Sequence, residues 1–343
     1  MLPAQQEATL ADLEAQARKN PGKFDVQVVG RLRTIHDNQR SQVKEDPISF
    51  AVRQGFAESV PLDISKPGEI GPQINQRASL ARELRKDYQA PFKIMTKEEA
   101  TQLSAALKDA PVQQKRDYFA GLARSTAGDR EAYSAIMSQL APDDPVTAIA
   151  GVYASGRSEQ RRSASELILR GQSLLRPNPK EDGKPVAGKL VTMPPDKDLL
   201  SEFSSITDKV FAGRPQAQSD FFQAAKAIYA SKTADEGDTD GKVVSRRWKE
   251  SVRLATGQIT EYRGKPIVLP ESFDEGRFRD AMKAQTQALV ASGRLDGQVT
   301  RDRLLGMPLE NIGDGRYVFR AGDGVLVDKA NKPVVLNFNR GDE

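Results

Sequence analysis

Two of the chain's three Glu-Ser pairs, Glu58-Ser59 and Glu271-Ser272, are the candidates for bond-breaking chemistry. A Glu on a helix, with a second group across a sugar groove, is the arrangement a glycosidase or lytic transglycosylase uses to protonate a leaving oxygen. That chemistry needs Gly-rich and Tyr-containing segments beside the pair to line the groove. Glu58 instead runs into a turn-rich loop, Val60-Pro61-Leu62-Asp63-Ile64-Ser65-Lys66-Pro67-Gly68, and Glu271 follows Pro270 outside a helical pattern. Neither has the companion motifs. The expectation is a chain with no catalytic residue, not an enzyme.

Metal and cofactor chemistry fare no better. There are no cysteines and one histidine, His36, which rules out thiolate nucleophiles, disulfides, Cys-based metal sites and a multi-His zinc site. A Ser-His-Asp triad would have to use His36, and its run Arg33-Thr34-Ile35-His36-Asp37 reads as a surface helix. Asp235-Glu236-Gly237-Asp238-Thr239-Asp240-Gly241 resembles a calcium loop, but that loop needs a Glu at its twelfth position. Counting from Asp235 or from Asp238 lands on Arg246 or Lys249. The run therefore reads as an acidic loop capping the helix that carries Trp248. Gly313-Asp314-Gly315 and Gly322-Asp323-Gly324 lack the strand–loop–helix context and the Lys-Ser/Thr of a phosphate loop. No metal and no cofactor are expected.

One cluster points to nucleic acid. Arg246-Arg247-Trp248-Lys249 sets three cations around an aromatic ring, and Arg246, Arg247 and Lys249 are its candidate contacts. The competing reading makes Trp248 a core anchor. Arg157, Arg161, Arg162 and Arg170 share a helix with Glu159 and Glu166, which reads as a solvated face. Overall, 51 basic residues stand against 47 acidic ones, net +4, and the two signs are interleaved. A dedicated nucleic-acid binder concentrates positive charge instead.

These residues must be carried by mostly helical elements. Apolar spacing predicts helices over about 4–19, 24–45 (stripe Val28, Val29, Leu32, Ile35, Val43), 48–53, 74–88, 96–107, 111–124, 129–140, 145–154 and 158–172. Thr96-Lys97-Glu98-Glu99 is a capping box. Helices resume at about 197–212, 215–233, 241–256, 274–292 and 298–305. Phe221, Phe222, Ala225, Ile228 and Tyr229 form the densest aromatic face. The tail changes character: Tyr262 to Leu269, Arg316 to Asp328, and Asp328 to Asn339 each join β-type runs through Gly, Asp or Asn turns. The hairpins are expected to pair with one another, with Tyr317, Phe319, Val325, Val327, Val335 and Phe338 on one buried face. The fold class is mainly α, many short helices with a small β-hairpin-rich C-terminal portion. The expected organisation is a helical region over 1–172, a Pro/Gly-rich linker or excursion over 173–197, and a helical region with hairpins over 198–343. No run of 18 apolar residues exists, so no transmembrane helix is expected. The first residues lack the basic start and apolar stretch of a signal peptide.

Three stretches carry a resemblance. The first is Lys44-Glu45-Asp46-Pro47-Ile48-Ser49-Phe50-Ala51, followed by the Thr96–Leu107 helix and a chain of short helices. The second is Ala255-Thr256-Gly257-Gln258-Ile259-Thr260-Glu261-Tyr262-Arg263-Gly264-Lys265, leading into Val268-Leu269-Pro270. The third runs from Ile312 to Phe319, through Gly324-Val325-Leu326-Val327-Asp328, to Pro333-Val334-Val335-Leu336-Asn337-Phe338-Asn339. Their order resembles the C-terminal region of large tailed-phage and prophage internal virion, or DNA-ejection, proteins, some of which carry a lytic transglycosylase domain upstream. The resemblance implies a structural protein of the virion, made in the bacterial host cytoplasm. Its implied partners are portal or other internal virion proteins, further copies of itself, and phage DNA. It brings no catalytic residue. Two alternatives stand beside it: a peptidoglycan-degrading enzyme fragment and a nucleic-acid-binding module.

Overall fold

The computed structural model describes residues 3–20, 25–58, 60–156, 158–176, 180–181, 184–185, 191–271, 273–313 and 315–338. The fold is mainly helical, with small sheets toward the C-terminus. Chain contacts divide it into two units, Met1–Ser155 and Gly156–Glu343. The sequence reading put the division at 173–197, much of which lies outside the described residues. The break falls earlier because the helix after Ser158 packs on a helix of the second unit.

The first unit holds α1 (Pro3–Lys19), α2 (Val26–Glu45), α3 (Pro47–Arg53), α4 (Gly71–Tyr88), α5 (Lys97–Lys108), α6 (Val112–Ser125), α7 (Arg130–Leu140) and α8 (Pro145–Ala154). Arg33 ties α2 to α1, with bonds to Glu7 at 2.7 Å and Glu14 at 2.8 Å. Asp46 ends α2 and starts α3. Its carboxylate accepts the Ser49 N–H at 2.9 Å, Pro47 fills the first turn, and Lys97 N–H donates to the same carboxylate at 2.9 Å. The expected capping box is present at α5. Its Glu99 does more than cap: it accepts Arg77 at 2.5 Å and the Leu62 N–H at 2.9 Å, and so fastens the 60–70 loop to α4 and α5. Gly151 in α8 exists for contact. A Cβ there would lie 2.2 Å from the Met137 sulfur and 3.0 Å from the Phe119 ring.

The second unit begins with α9 (Glu159–Leu175), the two-residue strands β1 (Lys180–Glu181) and β2 (Lys184–Pro185), α10 (Asp196–Thr207), α11 (Pro215–Asp235) and α12 (Ser245–Thr256). Helices α9 and α11 cross backbone to backbone. A Cβ on Gly171 would come within 1.7 Å of the Ala227 carbonyl oxygen, so only glycine fits. The aromatic face of α11 closes on α10 and α12. Trp248 is fully buried, edge-on to Phe222 and Tyr229 with ring centres 6.0 and 5.6 Å away.

The rest of this unit is β3 (Ile259–Tyr262), β4 (Lys265–Val268), α13 (Glu275–Ala291), α14 (Arg301–Gly306), β5 (Leu309–Gly313), β6 (Arg316–Ala321), β7 (Gly324–Val325) and β8 (Val335–Asn337). The first hairpin turns at Arg263-Gly264, where both residues have positive φ, 52° and 72°. That geometry matches the twist of paired strands. This hairpin is a sheet of its own. Strands β1 and β2 pair as a second two-stranded sheet, and a four-stranded sheet centres on β6, paired with β5, β7 and β8, all antiparallel. Strand β5 was not anticipated. The third expected hairpin reduces to a bridge between Val327 and Pro333. Tyr317, Phe319 and Phe338 are buried as expected, around Phe278 and Met282 of α13. Val327 and Val335 face solvent. In β8 the inward position is Leu336, continued by Phe338 just past the strand, and the period of two sends Val335 to the other face.

Candidate functional site

The structure disperses the catalytic candidates. Glu58 is exposed in the loop after α3. Glu271 serves as a pin: it accepts the Ser158 N–H at 2.9 Å and lies 3.6 Å from the Arg161 guanidinium. Their partner serines, Ser59 and Ser272, lie outside the described residues, as does Asp314. Among the described residues no group of three or more His, Asp or Glu side chains is arranged to hold a metal, and no helix is long and apolar enough to cross a membrane.

The basic-aromatic cluster is split by the helix that carries it. Arg246 and Lys249 are exposed on α12. Arg247 is turned inward, 5% exposed. Its guanidinium meets Glu236 at 2.5 Å, Asp238 at 2.9 Å and the Thr233 hydroxyl at 3.0 Å, and sits 5.3 Å from the Tyr229 ring centre. The calcium-like loop thus folds around an arginine. It does not cap α12, whose N-cap, Val244, makes no side-chain bond. The Arg247 hydrogen bond holds the Glu236 carboxyl below the usual range. For Asp238 the Asp240 N–H comes first and Arg247 second, in the same direction.

Exposed large apolar side chains are scattered over the chain, but α2 gathers Val28, Leu32 and Ile35 on one face. Its expected single stripe is two stripes. Val29, His36 and Val43 recur every seven residues and are buried. His36 is therefore no surface residue; it is 4% exposed, with its Nδ1 3.3 Å from Asp37 and 3.5 Å from Glu7. Val28, Leu32 and Ile35 recur at spacings of four and three and form a second face. They are 48%, 41% and 54% exposed. Alternating steps of four and three are the seam pattern that a second helix fills with knobs in holes. Gln39 and Gln42 extend the spacing with polar side chains. The signal was available in the sequence, since residues 28, 32 and 35 centre about 75° around the helix from 29, 36 and 43.

No protein-family model matches the chain, and no curated protein and no solved structure matches it at a significant level.

Proposed function

We propose that this chain is a structural component of a tailed-phage virion, of the internal or DNA-ejection type, and that it works by protein–protein contact and not by catalysis. The exposed Val28–Leu32–Ile35 face of α2 carries this reading. Three large apolar side chains in seam register, on a helix whose adjacent face is already satisfied by its own unit, have no use in an isolated subunit. The resemblance of the three segments quoted above supplies the virion setting. Portal or other internal virion proteins, and further copies of this chain, are the partners such a face suits. The exposed Arg246 and Lys249 leave room for contact with phage DNA.

Light scattering of the purified chain over a range of concentrations tests this. The expected result is a discrete oligomer, or a stoichiometric complex with a portal-type ring, that Leu32→Glu with Ile35→Glu abolishes while the circular dichroism spectrum stays the same. A strict monomer that binds neither itself nor another virion protein sinks the proposal.

A further inference from the structure

Beside the buried edge of α2, within the first unit, lies a hollow of about 700 Å³. That is the size of a small-molecule pocket. Its aromatic wall is made by Phe50, Phe56 and Tyr88, with ring centres 5.7 to 6.2 Å apart. Phe50 is buried and holds the wall in place, while Phe56 is 51% exposed. An apolar ring held open to solvent by two others is a stacking platform.

Around this wall stand polar groups that the fold does not use. The side chains of Gln39, Gln54 and Gln89 line the hollow and make no hydrogen bond to any described residue. Gln89 is placed there by a left-handed backbone, φ 53°, at the end of α4, a conformation uncommon for a residue with a side chain. Lys44 and Lys86 also line the hollow, and neither has a carboxylate partner among the described residues. Arg40 differs, being shared with Glu7 at 3.8 Å.

We infer that this hollow binds a nucleoside phosphate. The base stacks on the exposed Phe56 ring, with the inclined Tyr88 ring at its edge, because every base has a π face and stacking tolerates sequence. The glutamine amides offer both donors and acceptors to the base edge. Arg40, Lys44 and Lys86 stand against Glu7 and Asp87 in the lining, and the net positive charge, with Lys44 and Lys86 free of ion pairs among the described residues, suits a phosphate group. Three features that are idle separately have one ligand chemistry in common. His36 lines the same hollow, but its Nε2 is closed to solvent without a partner, so the ring reports on the site and does not hold the ligand.

That report is unusually clean, because His36 is the only histidine in the chain. Its imidazole carbon-bound protons give one set of resonances, and the full-length protein can be titrated with AMP, UMP, adenosine, inorganic phosphate and a five-nucleotide single strand. A saturable His36 shift with AMP is expected, with adenosine and phosphate each binding roughly tenfold more weakly. Phe56→Ala, and separately Lys44→Gln with Lys86→Gln, should each weaken AMP by about tenfold. The exposed lysine pair should leave the melting temperature unchanged, and Phe56→Leu, which keeps an apolar side chain against Phe50 and Tyr88, should weaken AMP like Phe56→Ala. A strand that binds no tighter than AMP identifies the ligand as a free nucleotide; a tighter strand identifies a chain end or segment. Absence of a saturable shift with every probe overturns the inference. So does phosphate binding as tightly as AMP, or AMP affinity indifferent to Phe56→Ala.

Discussion

Helices α2 and α12 carry the same apolar spacing and end in opposite places. In α12, Trp248, Val252 and Ala255 step by four and three, and all are fully buried. In α2, Val28, Leu32 and Ile35 step by four and three, and all face solvent. The difference is not in the pattern but in what surrounds it. Helix α12 has α9, α10 and α11 of its own unit to close over its face. Helix α2 packs its buried edge on α1, α3 and the end of α4, and among the described residues its Val28, Leu32 and Ile35 face stays exposed. A periodic apolar face thus says that a helix will meet something, and leaves open whether that partner belongs to the same chain.

The largest test breaks the closed side. Trp248→Ala removes the biggest fully buried side chain, ringed by Phe222 and Tyr229. It should cost about 3–5 kcal/mol. Chemical denaturation followed by circular dichroism would read it, and a loss below about 1 kcal/mol would mean that α12 is not the anchor of its unit.

The first unit has an anchor of another kind. Arg77 and Glu99 are paired with both side chains largely buried. Glu99→Gln keeps the shape and one of the two backbone bonds, from Leu62 or Thr96, but turns an amide NH2 toward the other N–H and leaves the guanidinium without its counter-charge, at a cost of about 3 kcal/mol. If the variant melted like the parent, the loop at 60–70 would have to be held by something other than Glu99.

Acid separates the two units in a related way. Burial pushes the Glu99 carboxyl up, but hydrogen bonds from Arg77 and from the Leu62 and Thr96 N–H groups outweigh it and leave it below the ordinary range. Glu236 and Asp238 are lowered too, by Arg247 and by the Asp240 N–H respectively, at the open surface. A depressed carboxyl contributes stability that is present above its unfolded pKa, near 4, and is lost as pH falls through the lower folded value. Both units should therefore weaken below about pH 4, the first more steeply, because its carboxylate is shielded from solvent. Hydrogen exchange measured in both units between pH 5 and 3 would show it. Glu99→Gln should flatten the first response, and Arg247→Met the second.

What could be read from the chain follows the same division. The helices, the capping box at Thr96 and the Arg263-Gly264 turn were legible, because each is written in neighbouring residues. Trp248 as an anchor was one of two open readings, and burial among three helices decides it. The inward turn of Arg247 was not legible, because it depends on an acidic loop ten residues away folding back over it. Strand β5 was missed for a similar reason: Leu309-Glu310-Asn311-Ile312-Gly313 has weak strand character, and pairing with β6 makes it a strand. His36 looked exposed among charged neighbours, although its seven-residue spacing from Val29 and Val43 marks it as inward.

The smallest effect is the one that tells most about α2. Leu32→Ala with Ile35→Ala removes two large apolar side chains, the same kind of change that is ruinous in α12. Both already meet water in the isolated chain, so little transfer free energy is lost, and alanine is the better helix former. The melting free energy at low concentration should shift by less than about 0.5 kcal/mol. At high concentration the parent should melt later than at low concentration, because association stabilises the folded form, whereas the variant should not respond to concentration at all. A large loss at low concentration would mean that the seam is closed inside the subunit, and the contrast between the two helices would disappear.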